Sequence, residues 1–387
     1  MGEMSKEKCN LGLDFWYRVR YTIPIETDLA VFANEAVKGG RGFAVAVTIK
    51  DVSARCGLSI STVSKAFNNY SDISAETREL VHRTAREIGY YPNAIARTLK
   101  TNRSYNLGVV FADDSQSGLL HGFFASVLEA FKSESERRGY DITFINHNVG
   151  WSGMTYLEHC RYRNVDGVCI VCADFYAQEV TALVAGDIPC VTIDHSFNNR
   201  SSVMSENVTG QQELVKYAWS CGHRKIAFAH GQRSSVTESR LLGYYRGLSE
   251  QHAEPRPEYV IEAWYDSPSA GCEAVEKLMK LPDPPTCILM SDDNSSLGAW
   301  EAAEKLGLRI PQDLSIGGYD GIRLTQMMRP RLTTIRQDTE TMGRCAADCL
   351  IERVENPRTA VARSVVVPGK LIVGETIVPL AERRGHA

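Results

Sequence analysis

Residues 47–69 read VTIKDVSARCGLSISTVSKAFNN, and this stretch contains the start and stop signals of two short helices. Thr48 precedes the first helical run and can cap it, and Gly57 ends that run. Ser59 can cap the second run, which follows directly. Two short helices joined by a tight, glycine-containing turn predict a helix-turn-helix unit, although an ordinary helical bundle shows the same pattern.

A third helix and then a chain break follow this pair. Residues 73–104 read ISAETRELVHRTAREIGYYPNAIARTLKTNRS, in which Ser74 can cap an amphipathic helix that ends at Gly89. Pro92 then interrupts the helical pattern, and a last short helical stretch follows it. We therefore predict an all-α headpiece over residues 47–104.

Charge divides unevenly between this headpiece and the rest of the chain. Residues 47–104 carry nine Lys and Arg against five Asp and Glu, whereas residues 1–46 carry six of each. The whole chain has a formal net charge of −4, so residues 105–387 are strongly acidic. Because phosphate binding depends on local positive charge, the headpiece is suited to DNA although the chain as a whole is acidic.

In a helix-turn-helix unit, the second helix enters the major groove with its first residues facing the base edges. Ile60 could then contact a thymine methyl group, Ser61 could hydrogen-bond a base, and Lys65 could reach guanine or phosphate. Hydroxyl and amide side chains nearby are suited to phosphate oxygens. The predicted DNA-contact residues of this unit are Thr48, Ser59, Ile60, Ser61, Thr62, Ser64, Lys65 and Asn68.

Residues 105–387 alternate apolar, strand-like runs with amphipathic helical runs. The strand-like runs are YNLGVVF, DITFIN, DGVCIV, PCVTID, RKIAFAH, YVIEAW, TCILMS and SIGGY, and the helical runs include residues 123–138, 211–220, 235–251, 269–280 and 295–305. Repeated strand–helix units predict parallel sheets covered by helices on both faces, and this length favours two sheets. Ligands in such folds bind beyond the carboxyl ends of the strands.

Several function classes lack their usual signatures. No apolar run reaches the roughly 18 residues of a membrane helix, and residues 1–20 lack the apolar core of a signal peptide, so we expect a cytoplasmic protein. The eleven cysteines have no disulfide or zinc-site spacing, and the CxxC of Cys169 and Cys172 lies in a run typical of a buried strand, so no metal or cofactor is expected. No P-loop, GxGxxG or GxSxG motif indicates an enzyme.

The headpiece resembles that of the LacI/GalR (lactose-repressor) family over its whole length, in order and without gaps. In that family the YxPN pattern, here YYPN, introduces a hinge helix, which the resemblance places at residues 93–100. It also puts Leu99 at the position that wedges between base pairs in the minor groove. A plain linker is the alternative. The residues that the resemblance adds to the DNA contact are Asn93, Ala96, Arg97, Leu99 and Lys100.

The resemblance continues through residues 105–380, on segments such as VDGV, CGHRKIAFAHG, SRLLGYYRGL and LSIGGYDG. It implies an α/β, periplasmic-binding-protein-like body of two subdomains around a cleft, preceded by the all-α helix-turn-helix headpiece. The N-subdomain is expected at about residues 105–204 and 337–365 and the C-subdomain at about residues 205–336 and 366–387. Three chain crossings would leave a hinge that lets the cleft close on a ligand.

Matching positions one at a time gives a predicted effector pocket. Arg240 in SRLLGY matches a ligand-contacting arginine, a fixed fork suited to paired hydroxyls or a carboxylate. Asp320 in GGYDG matches an acidic residue that accepts hydrogen bonds from the effector. A structural ion pair between these two residues is the alternative, as is ordinary core for Phe123 and Phe124. The predicted set is Phe123, Phe124, Asp194, Arg240, Trp264, Tyr265, Asp292, Asp320 and Gln337, with Trp264 and Tyr265 competing for one aromatic wall.

Together these features predict a sequence-specific transcriptional repressor whose homodimer binds a pseudo-palindromic DNA operator under the control of a small-molecule effector. Aromatic faces beside Arg and Asp suit a sugar or sugar derivative, and a nucleobase or another polar metabolite is the alternative. A cytoplasmic solute-binding protein would share the body but not the basic headpiece. The role of residues 1–46 stays open between an N-terminal arm and a start codon assigned upstream of the true one, near Val45.

Overall fold

The computed structural model describes residues 47–68, 70–91, 103–112, 118–149 and 152–380. These residues divide into two separate units, a headpiece before residue 94 and a body after it. No helix in the described part of the chain is both long and apolar enough to span a membrane.

Over the described residues of the headpiece, the chain forms three helices, each beginning directly after its predicted cap. The Asp51 carboxylate accepts hydrogen bonds from the backbone N–H and the hydroxyl of Thr48, both at 2.8 Å, and the Ser59 hydroxyl accepts one from the Thr62 N–H at 3.0 Å. Such bonds satisfy backbone donors that a helix start leaves open. The helices are α1 (Ile49–Cys56), α2 (Ile60–Phe67) and α3 (Ala75–Ile88), packed on a buried core of Val52, Val63, Ala66, Val81 and Ala85.

The body begins with alternating strands and helices up to residue 205. Its elements there are β1 (Asn106–Phe111), α4 (Gly122–Arg137), β2 (Asp141–Ile145), β3 (Asn148–Val149), β4 (Ser152–Gly153), α5 (Tyr156–Tyr162), β5 (Gly167–Cys172), α6 (Gln178–Ala185), β6 (Cys190–Ile193) and β7 (Ser201–Ser205), with a 3₁₀ turn at Gly118–Leu120.

The same alternation continues through the rest of the body. The elements are α7 (Asn207–Ser220), β8 (Ile226–His230), α8 (Ser235–Glu250), β9 (Val260–Glu262), α9 (Pro268–Met279), β10 (Cys287–Met290), α10 (Asp293–Leu306), β11 (Ser315–Asp320), α11 (Arg323–Met327), β12 (Thr333–Arg336), α12 (Thr339–Glu355), β13 (Ser364–Val367) and β14 (Lys370–Ile372), with a 3₁₀ turn at Pro257–Tyr259.

Among the described residues of the body, the strands form two six-stranded sheets and the short β3–β4 ribbon. The first sheet has the order β13-β7-β6-β5-β1-β2 with all neighbours parallel, and the second has the order β14-β12-β11-β10-β8-β9 with β14 antiparallel to β12. Helices α4 and α12 cover one face of the first sheet and α5 and α6 the other; α9 and α10 cover one face of the second and α7 and α8 the other. We call the two halves the first and second lobes.

The chain passes between the lobes after β7, after β12 and after β13, within the described residues. The sequence placed the last of these crossings between residues 365 and 366, whereas β13 runs on to Val367 in the first sheet and β14 begins at Lys370 in the second. Within the described residues of the body, every predicted strand-like run contains a strand and every predicted helical run contains a helix. Each crossing leaves the carboxyl end of a strand, so the carboxyl ends of strands from both sheets lie beside the hinge segments.

Candidate functional site

Helix α2 presents one face to the headpiece core and the other to solvent. Val63 and Ala66 are fully buried, whereas Ile60 at the start of the helix is 44% exposed and Ser61 is exposed. An apolar group and a hydroxyl group therefore stand free of the core at the end of the helix that would enter a DNA groove.

Lys65 lies one turn further along α2, and its ammonium group binds a neighbouring carboxylate. Its Nζ is 2.5 Å from Asp72 Oδ2, with both side chains partly exposed. The hydrogen bond with Asp72 raises the pKa of Lys65, so the ammonium group stays protonated at neutral pH. An exposed pair of this kind contributes little stability, so Lys65 can exchange Asp72 for a DNA phosphate or base at small cost.

Other predicted contact residues of the headpiece hold the helix ends. The Ser59 hydroxyl caps α2 through the Thr62 N–H, and the Asn68 side-chain amide donates to the Ser64 carbonyl at 2.6 Å. Thr48 caps α1 through Asp51. These side chains shape the helices whether or not they also touch phosphate. The predicted hinge helix and its residues Asn93, Ala96, Arg97, Leu99 and Lys100 lie outside the described residues.

A cavity of about 250 Å³ opens between the two lobes of the body. It is walled by residues at the carboxyl ends of β1, β5, β6, β8, β10 and β11 and at the starts of α4 and α8, which is where ligands bind in parallel-sheet folds. The predicted effector residues that line it are Phe123, Phe124, Asp194, Arg240, Tyr265, Asp292, Asp320 and Gln337.

Arg240 projects from α8 and is buried, 3% exposed. Its Nε donates to Asn207 Oδ1 at 2.8 Å and its Nη1 donates to the Ser291 carbonyl at 2.6 Å. The guanidinium carbon lies 3.6 Å from the centre of the Tyr319 ring, a cation–π contact, and Nη2 lies 3.8 Å from Asp320 Oδ1. Both earlier interpretations of Arg240 therefore have support, because it is a buried partner of Asp320 and also part of the cavity wall.

Asp320 ends β11 with a backbone φ of 112°, a conformation that L-residues rarely adopt. Its Oδ1 accepts a hydrogen bond from Gln337 Nε2 at 2.6 Å. Burial raises the pKa of Asp320 well above its ordinary value, the Arg240 guanidinium acts in the opposite direction, and the nearby carboxylates of Asp292 and Asp293 raise it further. A residue with a strained backbone and a buried side chain of shifted pKa is typical of ligand sites.

One hydrogen-bonded link joins the two lobes across the cavity. The Ser235 hydroxyl, at the start of α8 in the second lobe, donates to the Asp194 carbonyl at 2.9 Å and lies 3.0 Å from His195 Nδ1, both in the first lobe. Because a serine hydroxyl has one hydrogen and gives it to Asp194, Nδ1 of His195 must carry the proton of the second bond. The link depends on the distance between the lobes.

The aromatic side chains of the cavity come from both lobes. Phe124 is half-buried, and Phe123 lines the cavity while also packing into the first-lobe core. The Tyr265 ring lies over Gly231, where any Cβ would overlap it, and its hydroxyl is 2.9 Å from Thr237 Oγ1. Trp264 is 55% exposed and lies outside the cavity wall, so Tyr265 supplies the aromatic wall that the sequence left open between them.

Asp292 reaches the cavity but is already saturated with hydrogen bonds. Oδ1 accepts from the Ser295 N–H at 2.7 Å, and Oδ2 accepts from the hydroxyls of Ser291 and Ser295 and from the Asp266 N–H at 2.8–3.0 Å. The side chain caps α10 at its start, where the helix dipole favours a negative charge. This capping role is sufficient to explain why the Asp292 side chain lies at the cavity.

The cavity also contains residues that the sequence analysis did not select. The rings of Phe175 and His195 stack with 4.6 Å between centres and 7° between planes, and Tyr176 stands edge-on to His195 at 5.7 Å. Gln232 Oε1 accepts the Tyr265 N–H at 3.0 Å. These residues lie two to four positions beyond the ends of β5, β6 and β8, so selecting the side chains of the first four residues after each strand would have found them.

Comparisons with known proteins match both units of the chain. Residues 48–93 fit the family model of bacterial regulatory proteins of the lacI family, and residues 215–377 fit that of a periplasmic binding protein-like domain. The HTH-type transcriptional repressor PurR of Pectobacterium carotovorum is 32% identical over 319 residues, which cover 80% of this chain and 91% of that protein. The chain belongs to the LacI family.

Further relatives of this LacI-family member are a ribose operon repressor and two regulators whose structures contain a bound small molecule. The ribose operon repressor of Haemophilus influenzae is 30% identical, covering 86% of this chain and 99% of that protein. The lac repressor dimer bound to operator and the anti-inducer ONPF superposes with a TM-score of 0.70 at 26% identity, and the CelR–cellobiose complex with a TM-score of 0.62 at 25% identity. The structural matches cover 86% and 85% of this chain and 99% of each neighbour.

Membership of the LacI family gives this chain its general function. It is a DNA-binding transcriptional regulator under the control of a small-molecule effector, as predicted. Among the relatives named here, the lac repressor is bound to ONPF and CelR is bound to cellobiose, so membership of the family does not by itself fix the effector of this chain.

Proposed function

We propose that this chain is a homodimeric repressor whose affinity for a pseudo-palindromic operator is set by a sugar or sugar derivative bound in the interlobe cavity. The single observation that carries the effector site is the buried group of Arg240, Asp320 and Gln337 at the carboxyl ends of the strands. A nucleobase or another small polar metabolite is the second candidate, favoured by the stacked rings of Phe175 and His195.

The DNA contact is assigned to the headpiece and the hinge segment. Ile60, Ser61 and Lys65 would face the bases from α2, and the helix-capping side chains nearby would reach phosphates. Leu99 would wedge into the minor groove between two headpieces, with the hinge residues around it against the backbone. Such a protein acts in the cytoplasm, where its operator is, and we assign it no catalytic role.

The polar side of the cavity suits hydroxyl groups. Arg240 Nε and Nη1 are bound within the protein, which leaves Nη2 as the donor that a ligand could use. Asp320 and Gln337 offer oxygen acceptors, so a sugar hydroxyl could be bound on both its oxygen and its hydrogen. Phe124 and Tyr265 offer apolar faces for ring C–H groups. A small cavity of this kind binds one compact ligand.

The same residues connect the cavity to the hinge. Arg240 donates to Asn207, which directly follows the first crossing, and Gln337, which directly follows β12 at the second crossing, donates to Asp320. A ligand that competes for these bonds would change the relative free energy of open and closed lobes. Coupling of about 1–3 kcal/mol would change operator affinity about 5–150-fold.

The test begins with a thermal-shift screen of the full chain against sugars and nucleobases, and with an operator selected from random duplex DNA. Operator affinity is then measured at increasing concentrations of a ligand that binds, for the wild type, Arg240→Met and Arg246→Met. Arg246 is an exposed residue of the same helix. We expect Arg240→Met to lose the effector response while retaining operator binding, and Arg246→Met to keep both. An unchanged response in Arg240→Met would remove Arg240 from the effector site.

A further inference from the structure

The loop between α2 and α3 places a carboxylate beside the exposed face of α2. Asp72 lies in this loop, and its Oδ2 is 2.5 Å from the Nζ of Lys65. The side chains of Asp72 and Lys65 are 53% and 39% exposed, so both can reach a ligand at the surface. The hydrogen bond between them raises the pKa of Lys65 and lowers that of Asp72. Both groups are therefore charged at neutral pH, and their charges cancel.

The loop that carries Asp72 is held by both neighbouring helices. The Tyr70 N–H donates to the Lys65 carbonyl at 3.2 Å, and the Ile73 N–H donates to the Tyr70 carbonyl at 3.3 Å. Arg78 Nη2, from α3, donates to the carbonyls of Tyr70 and Ile73 at 3.1 and 3.4 Å. Ile73 also packs against the headpiece core. The backbone of Asp72 is thus fixed relative to α2, and its carboxylate stays within reach of Lys65.

An anion this close to Lys65 changes which acceptors the ammonium group prefers. A lysine ammonium group has three N–H donors, of which Asp72 takes one and two remain. A phosphate oxygen about 2.8 Å from Nζ would lie at most about 5.3 Å from Asp72 Oδ2, so repulsion would cancel at least about half of its attraction to Lys65. The N7 and O6 acceptors of guanine carry no net charge and lose much less.

We propose that Asp72 is a positioning residue for DNA recognition, which directs Lys65 to a neutral base acceptor, best matched by guanine, and keeps it from the phosphates. Random DNA offers phosphates everywhere, whereas the operator offers the matching base, so Asp72 raises the ratio of specific to non-specific affinity. This inference rests on the proposed function, because it assumes that α2 faces the bases.

The first test is Asp72→Asn in the full chain, which removes the negative charge and keeps the size of the side chain. Lys65 would then gain a phosphate contact, so affinity for random duplex DNA should rise about 3–10-fold at ~0.15 M salt. The slope of log affinity against log salt concentration should steepen by about 0.9 for each headpiece. Glu87→Gln, which removes the same charge from an exposed position at the far end of α3, should leave both values close to those of the wild type.

Operators with single base-pair changes test the effect on base recognition. Lys65→Met should lose about tenfold in discrimination at one base pair of each half-site, and Asp72→Asn should narrow discrimination at the same base pair by about threefold or more. The double variant of Lys65→Met with Asp72→Asn removes a pair of no net charge, so its salt slope should return from that of Asp72→Asn to about that of the wild type. Fluorescence anisotropy with each duplex over a salt series gives all of these values.

The outcomes separate this inference from the proposed function. A Lys65→Met variant that keeps its discrimination at every base pair overturns the base contact of Lys65, and the inference with it. If Lys65→Met loses discrimination while Asp72→Asn keeps it and binds random DNA as the wild type does, the inference is wrong and the base contact of Lys65 stands. An equal rise in affinity for random DNA in Glu87→Gln also overturns the inference, because it would show a general effect of net charge.

Discussion

The buried Arg240–Asp320 pair predicts a pH-dependent stability that can be measured without knowing the effector. The perturbation is Arg240→Met, which keeps most of the side-chain volume and removes the charge. It takes away two hydrogen bonds, of 2.8 and 2.6 Å, a cation–π contact and the cation 3.8 Å from Asp320. Removing one partner of a buried ion pair typically costs ~3–5 kcal/mol, mainly because the other charge is left uncompensated.

The sign of the pH dependence follows from Asp320. Its pKa in the folded protein lies above that of an unfolded carboxyl group, so the folded state binds a proton more tightly and stability falls as pH rises through the folded pKa. Arg240 lowers this pKa, and its removal raises it further. The destabilisation should therefore be larger at a pH above the folded pKa of Asp320 than at a pH below it, by ~1.4 kcal/mol for each unit by which the pKa rises.

The assay is urea unfolding of the full chain at both pH values, followed by intrinsic fluorescence. Arg246→Met serves as the control, because an exposed substitution away from special contacts usually changes stability by less than about 0.5 kcal/mol. We expect the free energy of unfolding of Arg240→Met to fall by ~3–5 kcal/mol at the higher pH, seen as a lower urea midpoint. A loss that is equal at the two pH values would refute the assignment of Asp320 as the charge that Arg240 compensates.

Three further substitutions test other parts of the molecule. Leu99→Ala should weaken binding to the selected operator far more than binding to random duplex DNA, and equal losses in a fluorescence-anisotropy titration would contradict the minor-groove wedge. Ser235→Ala removes the hydroxyl that bonds Asp194 and His195 across the lobes. The binding free energy of the effector, measured by calorimetry, should fall by about 0.5–1.5 kcal/mol, the value of one hydrogen bond, whereas Ser249→Ala at the far end of α8 should leave it unchanged. Gly231→Ala places a Cβ in the space of the Tyr265 ring, so it should lower the free energy of unfolding in urea by about 1–3 kcal/mol and weaken effector binding. A wild-type free energy of unfolding together with a wild-type effector affinity would show that Tyr265 moves aside freely.

Helix ends and buried strands could be predicted from the sequence because their signals are local. Thr48 and Ser59 cap the helices that the sequence assigned to them, and the CxxC run of Cys169 and Cys172 forms β5. The short strands β7, β12 and β13 could not be predicted in the same way. SSVMS, TTIR and SVVV have too few residues for a period, and they become strands because the neighbouring strand supplies their hydrogen bonds.

The cavity could be predicted only in part, because some of its contacts depend on how distant parts of the chain meet. Arg240 and Asp320 were found through their family motifs, but nothing in either motif indicates that Asp320 has a φ of 112° or that Gln337 binds it, because both depend on where β11 and β12 lie side by side. The choice between Trp264 and Tyr265 also needed coordinates. The two residues adjoin on a turn, and the space over Gly231, on the neighbouring strand end, decides which ring faces inwards.

The polar contacts of the cavity suggest why effector binding and lobe movement should be coupled here. Asn207 and Gln337 directly follow two of the three crossings, and each is bound to a cavity residue, Arg240 or Asp320. Gln337 Oε1 is buried and has no hydrogen-bond partner among the residues that the structure describes. A ligand that donates to this oxygen or accepts from Arg240 therefore acts on a hinge residue through one bond, with no chain of intermediates. Such a ligand shifts the lobes only by the difference between its contacts in the open and closed forms. The Ser235 hydroxyl bonds residues of both lobes, so it is where that difference can be measured first.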